Sequence, residues 1–469
     1  MNPFGSADNI TVDGTSVKLP VSTGNPASLS PTATFQKPYW MPDEEADSCL
    51  NCGVKFSQFR RRHHCRNCGK IFCSKCCVEK ISLPHFGINE PEKVCNNCKL
   101  TVELMNKAKS SDMEEKYEAV IGLCSLLKNT AGLSKVVECG GINTMLSMAV
   151  NGNNKIKVAV ASALHCLAQS MMLNSFLVEV GCLKVLKNFL LSNSNCTELV
   201  SDSLSALNLL CMDANIRVEV LKEGMVEALL AVVVSSSGVV SVFASRVLQL
   251  LVCNFEYHEF ILKNHRGIIS ELFDALENED LQMQACVTKI LMYFSAGSLP
   301  FREMIIQEDV SRDFPLLFLL KGSSQGVLVH VACIVANLAV SVNENYMNRY
   351  ITGMCELLTC VKQENEELLS QIGRGLANFA ENSSSALHMI HHLPIIVSSL
   401  LKSSFEAPRI HACRLIVLLF SSEFPVALDV LSQSGLDEFI ATVFDLPGIT
   451  DTINSLFLRK VSRLSVCQK

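Results

Sequence analysis

Eight cysteines between positions 49 and 98 form four C-x2-C pairs: Cys49/Cys52, Cys65/Cys68, Cys73/Cys76 and Cys95/Cys98. The gaps between successive pairs are 12, 4 and 18 residues. Two cysteines separated by two residues can aim both sulfurs at one ion from a single tight turn. Two such pairs complete a tetrahedral thiolate site, which is closed and therefore structural. Four pairs predict two bound Zn2+ ions. Cys77 falls outside the spacing and reads as a bystander. The chain has 22 cysteines in all, and those beyond Cys98 occur singly from Cys124 to Cys467. Scattered in this way, they read as small buried hydrophobes in a reducing compartment, not as a disulfide framework.

The third cysteine sits inside a dense basic turn, Arg61-Arg62-His63-His64-Cys65-Arg66. Guanidinium forks match phosphate oxygens with charge-assisted hydrogen bonds, and histidine can donate to phosphate or to hydroxyls. Eight thiolates already close both metal sites, so the histidines are superfluous as ligands. Trp40-Met41-Pro42-Asp43, the RRHHCR run and Lys93-Val94-Cys95 together resemble the FYVE family of zinc fingers, over about Trp40 to Lys99. That resemblance implies cross-brace ligation. Cys49, Cys52, Cys73 and Cys76 would hold the first zinc, and Cys65, Cys68, Cys95 and Cys98 the second. It also implies recognition of phosphatidylinositol 3-phosphate. Arg61, Arg62 and Arg66 would grip the phosphates with help from Lys93, His64 with Asp43 would recognise ring hydroxyls, and His63 is a further candidate for lipid binding. Lys93 stands where the family usually has arginine, which keeps the charge but loses the bidentate fork. The preceding loop, Phe56 to Arg60, occupies the family's membrane-inserting turret. Gln58 and Phe59 are its candidate inserting residues, and Phe56 is assigned to the small core.

Behind the finger the chain repeats. An apolar pair three residues apart recurs as Leu164/Leu167, Leu207/Leu210, Leu248/Leu251, Leu291/Phe294, Val335/Leu338, Leu376/Phe379 and Ile416/Leu419. Successive steps are 43, 41, 43, 44, 41 and 40 residues. A glycine that opens a helix recurs as Gly181, Gly224 and Gly267, and polar loops fall between the landmarks. A fixed period near 42 with only helical signals marks a stacked α-solenoid. Each repeat leaves an apolar face that only its neighbours cover, which accounts for 49% apolar residues and a positive mean hydropathy. The units resemble armadillo repeats, with HEAT repeats as the alternative. The uncharged run Ala228 to Ser245 is long enough to span a bilayer, but Ser235 to Gly238 reads as a turn within it.

The expected organisation is thus a disordered tail at 1–39, a two-zinc cross-brace finger at 40–99, and an all-α armadillo/HEAT-like solenoid of about eight repeats at 100–469. No secretory signal opens the sequence, and a net charge of −6 excludes a chain that coats nucleic acid. No phosphate loop, GxSxG or HExxH is present, and His391-His392 reads as a surface cluster, so no enzyme is expected. The reading is a cytoplasmic adaptor, peripheral on early endosomes or other membranes bearing phosphatidylinositol 3-phosphate. Protein partners would bind the solenoid, and a homodimer would add avidity. Two rivals remain: a RING-like ubiquitin ligase, and an armadillo signalling or import adaptor with a structural finger. Peptide-groove receptors need Asn and Trp ladders, and only Asn337 and Asn378 fit here.

Overall fold

The computed structural model describes residues 9–12, 15–19, 37–192, 196–235, 238–277 and 280–445. The chain divides into two compact units, residues 1–247 and 248–469, so the finger shares a unit with the first helices. The last stretch assigned to the solenoid, 446–469, lies outside the described residues.

The finger is built from short antiparallel ladders. Strand β3 (His63–His64) pairs with β4 (Ile71–Phe72), and β5 (Glu79–Leu83) pairs with β6 (Ile88–Val94). Two further strands, β1 (Asn9–Val12) and β2 (Thr15–Lys18), form a hairpin within the stretch expected to be a disordered tail. That expectation is corrected there. Apolar residues pair across the hairpin, Ile10 opposite Val17, and Val17 is fully buried where β2 packs on helix 130–138. Local composition did not reveal that anchor, because the covering surface is more than a hundred residues away.

The rest of the first unit is helical. Helices α1 (Asn96–Lys107) and α2 (Met113–Leu127) lead out of the finger. Triplets follow: α3 (Thr130–Glu138), α4 (Gly141–Asn151), α5 (Asn154–Ala168); then α6 (Met171–Glu179), α7 (Cys182–Ser192), α8 (Thr197–Leu210). A third comprises α9 (Ala214–Lys222), α10 (Met225–Ser235) and α11 (Val239–Val252). The third helices stack, α2 on α5 and α5 on α8. The first and second helices of each triplet meet at Gly140, Gly181 and Gly224, each left-handed with φ of 72°, 91° and 74°, where a β-carbon would be strained.

In the second unit, α12 (His258–Asn264), α13 (Ile268–Leu276) and α14 (Leu281–Gly297) form one triplet, and α15 (Leu299–Ser311), α16 (Pro315–Leu319) and α17 (Gln325–Leu338) the next. A two-helix repeat follows, α18 (Glu344–Cys360) and α19 (Glu366–Phe379). Then come α20 (Ala386–Ile390), α21 (Leu393–Ile396) and α22 (Glu406–Ser434), the last interrupted at Glu423 ahead of Pro425. Helices α14, α17, α19 and α22 pack in series. Three helices per period is the armadillo pattern, and the α18–α19 pair is the departure from it.

Every landmark side chain of the apolar pairs is buried, from Leu164 to Leu419. The polar loops between them end in helix caps. Asn153 accepts from the backbone of Ile156, Asp213 from Asn215, Asp280 from Gln282 and Asn365 from Leu368, each satisfying a donor that the first turn leaves free. The uncharged run 228–245 is broken between α10 and α11, and no single described helix is long and apolar enough to cross a membrane.

Asp309 on α15 is wholly buried and joins three helices. Its carboxylate accepts from the Leu316 backbone at the start of α16 (2.9 Å) and from the Tyr350 hydroxyl on α18 (2.6 Å). Burial pushes its pKa from an ordinary 3.8 up to about 6, against the opposing pull of Tyr350, Leu316 and Arg349. A raised folded-state value favours the folded chain most below the unfolded value. Stability should therefore fall by roughly 2–3 kcal/mol as pH rises from about 4 to about 6. Asp309→Asn should flatten that stretch of the stability curve, as measured by denaturant melts across the range. An unchanged slope would show that Asp309 does not titrate there.

Candidate metal centres and ligand face

The sulfurs of Cys49, Cys52, Cys73 and Cys76 lie within 4.8 Å of one another, as do those of Cys65, Cys68, Cys95 and Cys98. Tetrahedral zinc with Zn–S near 2.3 Å requires sulfurs about 3.8 Å apart. Cys52 and Cys73 are separated by 3.8 Å, and Cys68 and Cys95 by 4.0 Å. The donor sets fit two zinc ions. Outer contacts point at the thiolates as well: the Cys95 backbone N–H donates to Cys65 Sγ (3.2 Å), and Asn51 Nδ2 donates to Cys76 Sγ (3.3 Å). Around the sulfurs only a few apolar groups pack, chiefly Phe72, Leu83, Val94 and Val102. Cys77 is buried outside both sets, and burial pushes its thiol up to about 12.

The basic turn lies on β3, directly before Cys65. Gly69 makes the approach of the Trp40 segment possible. It has φ of 68°, its carbonyl accepts from the Met41 backbone, and a β-carbon there would lie 2.1 Å from the Tyr39 oxygen. Trp40 is thereby laid flat on His64, with ring centroids 4.2 Å apart and planes 10° from parallel. His64 Nε2 donates to the Met41 carbonyl (2.8 Å), with Asp43 at 3.8 Å. Arg66 lies over Trp40, donates to the His64 carbonyl (2.8 Å) and faces Glu92 at 3.3 Å. Lys93 Nζ donates to His63 Nδ1 (3.2 Å), and the His63 pKa is lowered by burial, then by Lys93, Arg66 and Arg61.

Arg62 covers the ring of Phe56 and donates to the Ala46 carbonyl (3.1 Å), while Arg61 stands exposed. The loop before them closes through reciprocal backbone bonds between Ser57 and Arg60, which leave Gln58 and Phe59 at its tip. Phe59 is 97% exposed, the most exposed of the large apolar residues among those described. Phe56, by contrast, packs against the cysteine core. The structure thus brings Asp43, His64 and Arg66 together around Trp40, pairs His63 with Lys93, and sets Arg62 apart on Phe56.

One arrangement was not legible in the sequence. Asn67, between the ligands Cys65 and Cys68, donates to Cys139 Sγ at the end of α3 (3.0 Å) and contacts His85 Nε2 through Oδ1 (2.8 Å). All three side chains are buried, and burial holds the His85 pKa down at about 4, so a neutral imidazole donates to Asn67. This chain ties the second cysteine cluster to the first helical repeat. Cys139 had read as a plain buried hydrophobe, and no local signal distinguished it from the rest.

Comparison with known proteins agrees with this geometry. Residues 39–104 match the family model "FYVE zinc finger". The N-terminal module is a FYVE zinc finger. The chain is 44% identical over 84 residues to "Vacuolar protein sorting-associated protein 27" of Yarrowia lipolytica, which is 18% of this chain and 14% of that one. It is 48% identical over 75 residues to "Putative 1-phosphatidylinositol 3-phosphate 5-kinase" of Drosophila melanogaster, 16% of this chain and 4% of that one. Only a small part of either relative is therefore shared. Across the helices, a crystal structure of an engineered protein superimposes with a TM-score of 0.54 at 19% identity, covering 73% of this chain and 86% of that one. That likeness concerns the fold alone. Behind the FYVE finger, the chain is an armadillo-like helical repeat region.

The two supposed peptide-ladder residues are spent internally. Asn337 donates to Ser295 and accepts from Arg374 (both 2.9 Å), and Asn378 donates to the Ala336 carbonyl (2.9 Å) and accepts from Arg414 (3.0 Å). They bridge adjacent repeats. Among the described residues no metal cluster other than the two cysteine sets occurs, and His392 has only His388 beside it as a ring partner.

Elemental analysis of the purified chain should find two zinc ions. Asn67→Ala would leave His85 and Cys139 without their buried partner, at a cost of about 1–3 kcal/mol. Strong chelation should strip amide protection from the finger and also from α3, while leaving the second unit protected, as read by hydrogen exchange. Full protection of α3 in the zinc-free chain would contradict that coupling.

Proposed function

We propose that this chain is a non-enzymatic adaptor that docks on endosomal membranes carrying phosphatidylinositol 3-phosphate and presents its helical repeats to protein partners. The observation that carries the reading is a single zinc-braced turn that sets a cationic cluster next to an unburied phenylalanine. The family match supports it, as do relatives whose names refer to vacuolar sorting and to this lipid.

In this reading Arg61, Arg62, Arg66 and Lys93 receive the phosphates. Arg66 already faces the Glu92 carboxylate at 3.3 Å, so a phosphate would take the place of a resident anion. Lys93 and His63 already share a hydrogen bond and would present one combined donor edge. His64 spends Nε2 on the Met41 carbonyl, so its part is to hold Trp40 and the turn in place, with Asp43 beside it for ring hydroxyls. Zinc supplies rigidity, fixing the spacing of Cys65 and its flanking donors before lipid arrives. Gln58 and Phe59 enter the headgroup layer, and burial of one aromatic side chain plus a few cationic contacts gives weak, reversible attachment. Self-association would convert that weak attachment into avid docking on one membrane.

Vesicles containing phosphatidylinositol 3-phosphate should bind the chain better than vesicles with the 4- or 5-phosphate. Arg62→Ala/Arg66→Ala should weaken binding at least ~tenfold per arginine through lost charge-assisted bonds. Phe59→Ser should reduce vesicle binding while leaving affinity for the soluble headgroup intact. Unchanged vesicle binding in the arginine variant, with its zinc retained, would refute the reading.

A further inference from the structure

Three consecutive junctions of the second unit, each where the last helix of one repeat gives way to the first helix of the next, expose a large apolar side chain. They are Phe255 in the turn before α12, Leu299 opening α15 and Val340 after α17. Their exposures are 49%, 50% and 62%. Single exposed apolar residues are ordinary, but recurrence at an equivalent place in consecutive repeats is a pattern. Equivalent positions in stacked repeats line up along one edge.

The same turns carry exposed carboxylates: Glu256 and Glu259 beside Phe255, Glu303 beside Leu299, and Glu344 beside Val340. Among the described residues none of the four has an ion-pair partner, whereas other carboxylates of this unit do, such as Asp274 and Glu308 with Arg312, and Asp313 with Arg349. The cation nearest in sequence to Leu299, Arg302, is turned inward and donates to the Ser295 carbonyl. At Leu299 and Val340 the edge is therefore apolar and negatively charged, while at Phe255 the exposed Lys263, four residues beyond Glu259 on α12, offsets part of the negative charge.

We infer that this edge docks a basic amphipathic helix of a protein partner, with apolar anchors on one face and lysine or arginine flanking them. Charge complementarity selects the basic partner over an acidic one, and a negatively charged edge repels an anionic membrane. Spacing selects a helix. Packed helices stand about 8–10 Å apart, and two turns of a partner helix advance about 11 Å, so anchors seven residues apart keep step with successive repeats. The inference rests on the adaptor reading for the repeats and is independent of lipid recognition by the finger.

The test uses the full zinc-loaded chain and two labelled synthetic helices, one with leucine on one face and lysine on the other, and one with glutamate replacing lysine. Fluorescence anisotropy should show that the lysine helix binds, with affinity falling as salt rises, and that the glutamate helix does not. Leu299→Ser/Val340→Ser, and separately Glu303→Lys/Glu344→Lys, should each weaken binding at least ~tenfold. A charge-matched control away from the edge, Glu115→Lys/Glu198→Lys, should bind as wild type. Equal binding by the edge variants and the control would overturn the proposal, because it would mean attraction to net negative charge alone. Vesicle binding should be the same in all variants, and its loss in the edge variants would assign the edge to the membrane instead. A wild-type dimer that becomes monomeric in Leu299→Ser/Val340→Ser, as read by sedimentation, would assign it to a second copy and equally overturn the proposal.

Discussion

Two tetrahedral groups of thiolates hold together a module whose apolar core is only a few side chains deep. A segment of this size buries too little surface to fold by hydrophobic packing, and metal coordination takes over that work. The cross-brace has a geometric consequence beyond stability. Because one cluster joins Cys49, Cys52, Cys73 and Cys76 and the other Cys65, Cys68, Cys95 and Cys98, the chain segments interleave. The basic turn on β3 is thus clamped from both ends. Arg66 lies between the ligands Cys65 and Cys68, and Trp40 is pinned over it by the close approach at Gly69. A ligand face assembled in this way loses little freedom on binding, which favours affinity from few contacts.

The same clamp extends into the helices. Cys98 lies in the first turn of α1, and Asn67 passes a buried hydrogen bond to Cys139 at the end of α3. An unpartnered polar group at such depth would be costly, so the junction has little tolerance for a swivelling finger. Within the first unit, therefore, the basic turn and the start of the repeats form one mechanical piece.

The chain as a whole is negative, at −6, yet a dense group of cationic side chains stands at the finger's turn, while among the described residues several exposed carboxylates of the second unit have no ion-pair partner. Elsewhere in that unit, several charged and polar side chains bridge adjacent repeats. Arg374 and Arg414 reach across to Asn337 and Asn378 on the preceding repeat, which removes those amides from any binding groove. Half-buried polar bridges of this kind set the register between repeats whose apolar contacts are otherwise non-directional.

The two-zinc finger and the helical period were legible in the sequence because each is written locally. Ligand spacing within a turn and an apolar pair every forty-odd residues are properties of short stretches. The finger's basic run and the break of the uncharged run between α10 and α11 were legible for the same reason. What only the tertiary structure decided is which side chains meet across distance. Asn67 with Cys139, Arg66 with Glu92, Asp309 with Tyr350 and the repeat-bridging asparagines all join residues from separate segments. Strands β1 and β2 belong with them, because Val17 acquires a buried place only when α3 is present to cover it. Periodicity and spacing specify which face of an element is buried. They carry no information on which polar group stands opposite, because a hydrogen bond is directional and short-ranged and is settled only when the packed backbones have fixed the distance.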